Sequence, residues 1–181
     1  MKPKVITPPA SLPVTLASAI AAARAEGAGL DAEVEQAVRT YTDEAEFETQ
    51  RALIEQTLQV TIARFLPVIE LPRPNLLAVV HVKFFDPDGV QRELHPDDYT
   101  VDTDSEPGRL LPAPGKAWPA TAARINAVEI RYIAGYGPTP DSVPDSIKGF
   151  ILRRVAEQFG QLSAAMAAGA PRLLDGERVY A

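Results

Sequence analysis

The stretch NAVEIRYIAGYGPTPDSVPDSIKGFILRRVAEQFGQL, residues 126–162, changes its period halfway along. Val128, Ile130 and Tyr132 first alternate with Glu129 and Arg131, the two-residue period of a strand with one buried face. After the glycines and prolines of 135–140, Ile147, Ile151, Val155, Phe159, Leu162 and Met166 recur at helical spacing. Ser142 and Asp145 are both available as caps for that helix, with proline close by. The helix is expected over about 144–168. What precedes the switch decides the fold class.

Upstream of residue 126 the chain reads as β structure back to about residue 56. Leu58, Val60 and Ile62 alternate with Gln59 and Thr61. Leu77 to Phe85 is a second strand, and DPDG at 86–89 a tight turn, since proline presets one backbone angle and glycine accepts a positive one. Val90 to Leu94 returns as the hairpin partner. Tyr99, Val101 and Thr103 point one way from an extended chain, while Thr100, Asp102 and Asp104 point the other. EPGR at 106–109 is another turn, and Arg109 to Leu111 a short strand. A proline-rich loop at 111–121 holds the one tryptophan.

Further upstream the texture is helical. Leu30, Val34, Ala37, Val38, Tyr41 and Ala45 form one stripe of a helix over about 30–48, with an acidic opposite face. An alanine-rich helix is expected over about 11–26, with Ser11 and Thr15 as alternative caps and Gly27 and Gly29 at its end. Residues 1–10, with three prolines, are expected to be extended or mobile. Residues 169–181, broken by Gly169, Pro171 and Gly176, read as an extended C-terminal arm. The expected class is therefore α+β: a small helical bundle interrupted by a β-rich, hairpin-containing insertion over about 56–136.

Composition narrows the function. At 181 residues the chain suits one domain with a real core. A net charge of -6 argues against a general nucleic-acid binder, which needs cations to displace counterions from phosphates. With no cysteine there is no disulfide, thiolate metal site or cysteine nucleophile. No run approaches the length of a membrane span, and the proline-interrupted N-terminus does not read as a signal peptide.

The candidate chemistry sits in HPDDYTVDTDSEPGR, residues 95–109, which holds five carboxylates, one histidine and one tyrosine. Asp102 and Asp104 lie on one side of a strand, and His95, Asp97 and Asp98 are near enough in sequence to add ligands. Hard cations need about six oxygens, and the ordered calcium-loop spacing is missing, so a solvated hairpin edge is the preferred reading. A metal-dependent hydrolase using His95, Asp102 and Asp104 is the enzymatic alternative. His81, inside an apolar strand, reads as packed rather than catalytic. Neither G-x-S-x-G nor the phosphate-cradling G-x-x-x-x-G-K-[ST] occurs. No catalytic, cofactor-binding or metal-ligating residue is assigned.

Taken in order, RALIEQTLQVTIARF (51–65), IELPRPNLLAVVHVKFFDPDGV (69–90), DDYTVDTDSEPGRLLPAPGKAWPAT (97–121), NAVEIRYIAGYG (126–137) and VPDSIKGFILRRVAEQF (143–159) resemble the tailed-phage head–tail connector family. These are ring-forming adaptors docked under the portal, with relatives in prophages and gene transfer agents. The resemblance runs from about Thr15 to Leu162. It implies a connector domain over 11–168 and a structural role without catalysis or cofactor. It further implies a ring of identical subunits, typically dodecameric, on the portal vertex. The next connector or stopper protein binds the opposite side, and DNA passes through the lumen without specific binding. Carried onto this chain, the portal-binding arm offers Arg172, Leu173, Leu174, Arg178, Val179 and Tyr180. Charge pairs between copies are expected from Glu44, Glu48, Arg51, Arg153 and Arg154. Another neck protein, such as a stopper or tail-completion protein, is the nearest alternative.

Overall fold

A computed structural model describes residues 1–162 and 169–179. The fold is α+β, as the change of period predicts, and the chain divides into two compact units. One comprises Met1–Pro8 with Glu55–Gly135; the other comprises Pro9–Ile54 with Tyr136–Ala181. No helix among the described residues is long and apolar enough to cross a membrane.

The first unit holds two antiparallel sheets. Eight strands run β1 (Lys4–Thr7), β2 (Gln56–Ile62), β3 (Ile69–Leu71), β4 (Leu76–Phe85), β5 (Gln91–Glu93), β6 (Tyr99–Asp102), β7 (Gly108–Pro112) and β8 (Val128–Ala134). The larger sheet has the order β1-β2-β8-β4-β5 and the smaller one β3-β7-β6. Alternation sets the register of the larger sheet. Leu58 faces Tyr132 and Val60 faces Ile130 across β2 and β8, and all four are buried. Their neighbours Gln59 and Arg131 share the other face, where the guanidinium donates to the amide oxygen at 2.8 Å. Tyr132 lies fully buried with its hydroxyl donating to Pro72 O at 2.7 Å, so burial leaves no polar group unpaired and pushes the phenol pKa upward.

The DPDG turn forms as expected. Asp86 accepts backbone N–H bonds from Asp88 and Val90 at 3.0 and 2.9 Å, and Gly89 takes a φ of +80°. Two register shifts in β4, between Leu76 and Ala78 and between Val79 and His81, break its alternation and leave Leu77 and Val80 exposed.

Two strands depart from the sequence reading. Residues 1–10 are not a mobile leader throughout, because Lys4–Thr7 pairs with β2 as the sheet's edge strand. Pro3 and Pro8 flank that strand and so cost no ladder bond. Ile69–Leu71, lying between Pro67 and Pro72, is a strand that the sequence reading did not assign, at the edge of the smaller sheet. Ile69 and Leu71 are buried on either side of the exposed Glu70. It pairs with β7 at Leu71↔Gly108, where the chain packs so closely that a Cβ on Gly108 would lie 2.6 Å from Leu76 Cβ.

The second unit holds α1 (Leu16–Ala23), α2 (Asp31–Thr49) and α3 (Asp145–Gln158). Of the two available caps, Thr15 starts α1 by accepting from Ser18 N at 3.2 Å, while Ser11 instead donates to Pro138 O. Arg24 ends α1 in the left-handed region at φ 51°, with Ala25 N donating to Ile20 O. The stripe of α2 is buried at Val34, Ala37, Val38 and Ala45, as its spacing predicts. Helix α3 stops at Gln158, short of the expected 168. Gly160 takes a φ of +72° and Gln161 N returns to Ala156 O at 2.8 Å, a glycine-based stop that the apolar periodicity of Leu162 did not reveal. Met166 lies outside the described residues.

The segment after residue 168 also differs from an extended arm. Ala170–Leu174 forms a turn of 3-10 helix, and Ala170 and Leu174 are fully buried in a core with Ile147, Phe150 and Ile151. Pro171 sits in its first turn, where a missing N–H costs nothing.

Candidate functional site

The carboxylate-rich stretch 95–109 is occupied with its own local structure. His95 caps the 3-10 turn Pro96–Asp98, its Nδ1 accepting from Asp97 N at 3.3 Å. Asp98 accepts from Lys116 Nζ at 2.7 Å, and that hydrogen bond holds its pKa below the ordinary carboxylate value. Asp102 accepts from Ser105 Oγ at 2.6 Å and from the N–H groups of Ser105 and Asp104 at 3.1 Å, which also lowers its pKa. Asp102 thus ends β6 by closing the turn into β7, with Asp104 contributing its backbone rather than a second ligand. Among the described residues no three histidines or carboxylates stand together as a metal ion requires. His81 packs on the polar face of the larger sheet, 2.9 Å from Glu129 Oε1.

The residues assigned to docking and assembly all belong to the helical unit, and most of those described are engaged there. Glu177 is the centre of a polar clasp. Its two carboxylate oxygens accept from Tyr136 Oη and Ser146 Oγ, each at 2.9 Å. Its backbone carbonyl accepts from Arg51 Nε at 2.6 Å, and Arg51 is buried to 6% exposure with its guanidinium 5.9 Å from the Tyr136 ring centre. Arg178 pairs with Glu48 at 2.9 Å, and Val179 N donates to Thr49 O at 3.2 Å. This clasp joins the C-terminal segment to the end of α2. Sequence reasoning missed Glu177, because Tyr136 and Ser146 lie 41 and 31 residues away in the chain.

Within that segment Leu174 faces inward and is fully buried, Leu173 is half-buried, and Arg172 is exposed. Arg178 and Val179 are held by the contacts above. Tyr180 lies outside the described residues. Arg154 donates to Glu44 at 3.3 Å and to Glu157, and its guanidinium lies 4.9 Å over the Tyr41 ring. Burial works against that charge, yet Glu44 and Glu157 hold the guanidinium pKa above its ordinary value. Of the five residues assigned to charge pairing between copies, four therefore have partners within their own unit. Arg153 alone is exposed with no ion pair among the described residues.

Apolar groups left exposed are a further set. Phe47 on α2 is 69% exposed, and Ile125, in the loop before β8, is 81% exposed. Phe47 is legible in the sequence as a phenylalanine off the stripe of Val34, Val38, Tyr41 and Ala45.

No family model matches the chain, and no curated protein matches it. Solved structures do. A chain of the "Virion of native gene transfer agent (GTA) particle" is similar with a TM-score of 0.82 at 20% identity, covering 100% of this chain and 97% of the other. A chain of the "Neck of empty GTA particle computed with C6 symmetry" has a TM-score of 0.80 at 20% identity, with the same coverage. A chain of the "Neck of native GTA particle computed with C12 symmetry" has a TM-score of 0.73 at 23% identity, again over 100% of this chain and 97% of that one. At these identities the likeness is one of fold, and it extends end to end.

Proposed function

We propose that this chain is a structural neck protein of a tailed phage or phage-like particle. It is an adaptor that forms a ring on the portal vertex and joins it to the next neck or tail protein. The observation that carries this reading is the fold shared, over the whole length, with chains of gene transfer agent particles and of necks computed with sixfold and twelvefold symmetry. The sequence resemblance to head–tail connectors points the same way.

The physical properties suit a conduit. A ring of identical chains needs one patch to meet a different patch on the next copy, with closure set by the angle between them. A net charge of -6 per copy gives the ring little hold on duplex DNA, since each phosphate contact by a cation retards sliding. The docked C-terminal segment leaves Arg172 exposed and Leu173 half-buried against its own core, and on this reading their accessible surface meets the portal. The chain assembles in the host cytoplasm and ends in the particle neck, with no catalytic step.

Cryo-electron microscopy of purified particles tests the proposal. The expected result is a ring of this chain, twelve copies on the twelvefold reading, directly against portal. Particles of normal composition lacking the chain overturn it, and a position one layer further from portal makes it a stopper instead.

A further inference from the structure

Two exposed apolar patches sit beside unpaired charges of opposite sign. On α2, Phe47 is 69% exposed, and Asp43 lies one helical turn before it on the same face. Asp43 is exposed and has no ion-pair partner among the described residues. On the β unit, Leu66 and Ile125 are 40% and 81% exposed, and Arg64 and Arg124 stand beside them. Neither arginine has a carboxylate partner among the described residues, although Arg124 lies 4.1 Å over the Phe85 ring.

The two loops carrying these groups belong to one end of the larger sheet. The β2–β8 register closes at Ile62↔Val128, so residues 63–66 leave that end and residues 124–127 enter it. Thr61 Oγ1 donates to Asn126 Oδ1 at 3.2 Å across the same gap.

We infer that the cationic loop end, with Leu66 and Ile125, receives the Asp43–Phe47 face of α2 from a second copy of this chain. The inference rests on the ring reading above and names the surfaces through which the ring closes. These two patches differ in sign, and each has an apolar centre with charge beside it, the anatomy of a protein interface. A two-fold contact centred on either patch alone would set arginine against arginine or aspartate against aspartate, which costs free energy. A head-to-tail arrangement sets opposite signs together at every contact. Neither side chain is needed by its own core, so the exposed Phe47 and Ile125 are free to supply the apolar area.

Crosslinking tests the contact, because the natural chain has no cysteine and gives no background. Single variants Phe47→Cys and Ile125→Cys are mixed at high concentration with a bis-maleimide. The control mixture pairs Ile125→Cys with Glu33→Cys, an exposed position elsewhere on α2. The 47–125 product is expected to form roughly tenfold faster than the control product, reflecting a raised effective concentration. Equal rates, or a predominance of 47–47 and 125–125 products, overturn the inference. Purified particles separate this from the neck reading. If they contain the chain and the pair crosslinks no faster than control, only the assigned surfaces fall. If they lack the chain, both readings fall.

Discussion

The Tyr136 hydroxyl donates to Glu177 Oε2 at 2.9 Å, from the loop that precedes α3 to the last residues of the chain. With Ser146 on the other oxygen, Glu177 accepts two bonds in a half-buried place. Glu177→Ala removes both of these hydrogen bonds and is expected to destabilise the helical unit by about 1–3 kcal/mol, at about 0.5–1.5 kcal/mol per bond. Thermal denaturation reads this, and limited trypsin digestion should cut sooner after Arg172 and Arg178. A double-mutant cycle with Tyr136→Phe should give a coupling of about 0.5–1.5 kcal/mol. A coupling near zero would show that the bond contributes nothing.

Leu173 and Leu174 separate packing from docking. Leu174 is fully buried, so Leu174→Ala is expected to cost about 2–5 kcal/mol of stability. Leu173 is half-buried, and its alanine variant should cost much less while weakening co-purification with portal. Urea midpoints paired with pull-down on portal distinguish the two. Equal loss of stability in both variants would contradict the burial difference.

Gly108 is dictated by proximity rather than by backbone angle. An added Cβ would lie 2.6 Å from both Cβ and Cδ2 of Leu76. Gly108→Ala is therefore expected to destabilise the β unit by about 1–3 kcal/mol through overpacking. Adding Leu76→Ala removes Cδ2 but leaves Cβ, so rescue is incomplete. Denaturant unfolding followed by Trp118 fluorescence, within the same unit, measures it.

How far the sequence alone reaches depends on element length. Val128 to Tyr132 and the α2 stripe of Val34 to Ala45 each repeat often enough for their period to identify them. Lys4–Thr7 and Ile69–Leu71 are only four and three residues long and are hemmed in by prolines. They are strands because β2 and β7 supply partners far away in sequence, which no local pattern records. The same holds for the clasp around Glu177. The end of α3 had a local signal in Gly160, but the apolar spacing of Phe159 and Leu162 spoke louder. The acidic run at 95–109 was legible as solvated turn chemistry, because Asp102 with Ser105 three residues on is a turn-closing pair.

Acid should act on the β unit through three aspartates. Asp86 has its pKa lowered first by the hydrogen bond from Arg92, Asp98 by that from Lys116, and Asp102 by that from Ser105. A carboxyl whose folded pKa lies below its unfolded value of 3.8 adds stability above that pH. The contribution is lost as pH falls through the folded value. Urea midpoints should therefore be flat from neutrality to about pH 5 and drop by about pH 3. Arg92→Gln removes the largest cause at Asp86, so its midpoint should fall less steeply over the same interval.

The charges flanking Phe47 and Ile125 make a last prediction. If Asp43 of one copy meets Arg124 of the next, Asp43→Lys or Arg124→Glu alone sets like charges together at every contact. Rim charges act mainly on the rate of encounter, so each single variant should assemble about tenfold more slowly at low salt. A chain carrying both changes again presents opposite signs and should recover, because a head-to-tail contact reads one residue from each copy. Raising salt should slow the parent and narrow its difference from the single variants. Light scattering follows all four chains. Recovery distinguishes a specific pair from a general effect of net charge, since the double variant has the same formal charge as the parent. Continued slow assembly of the double variant would place the two residues in different contacts.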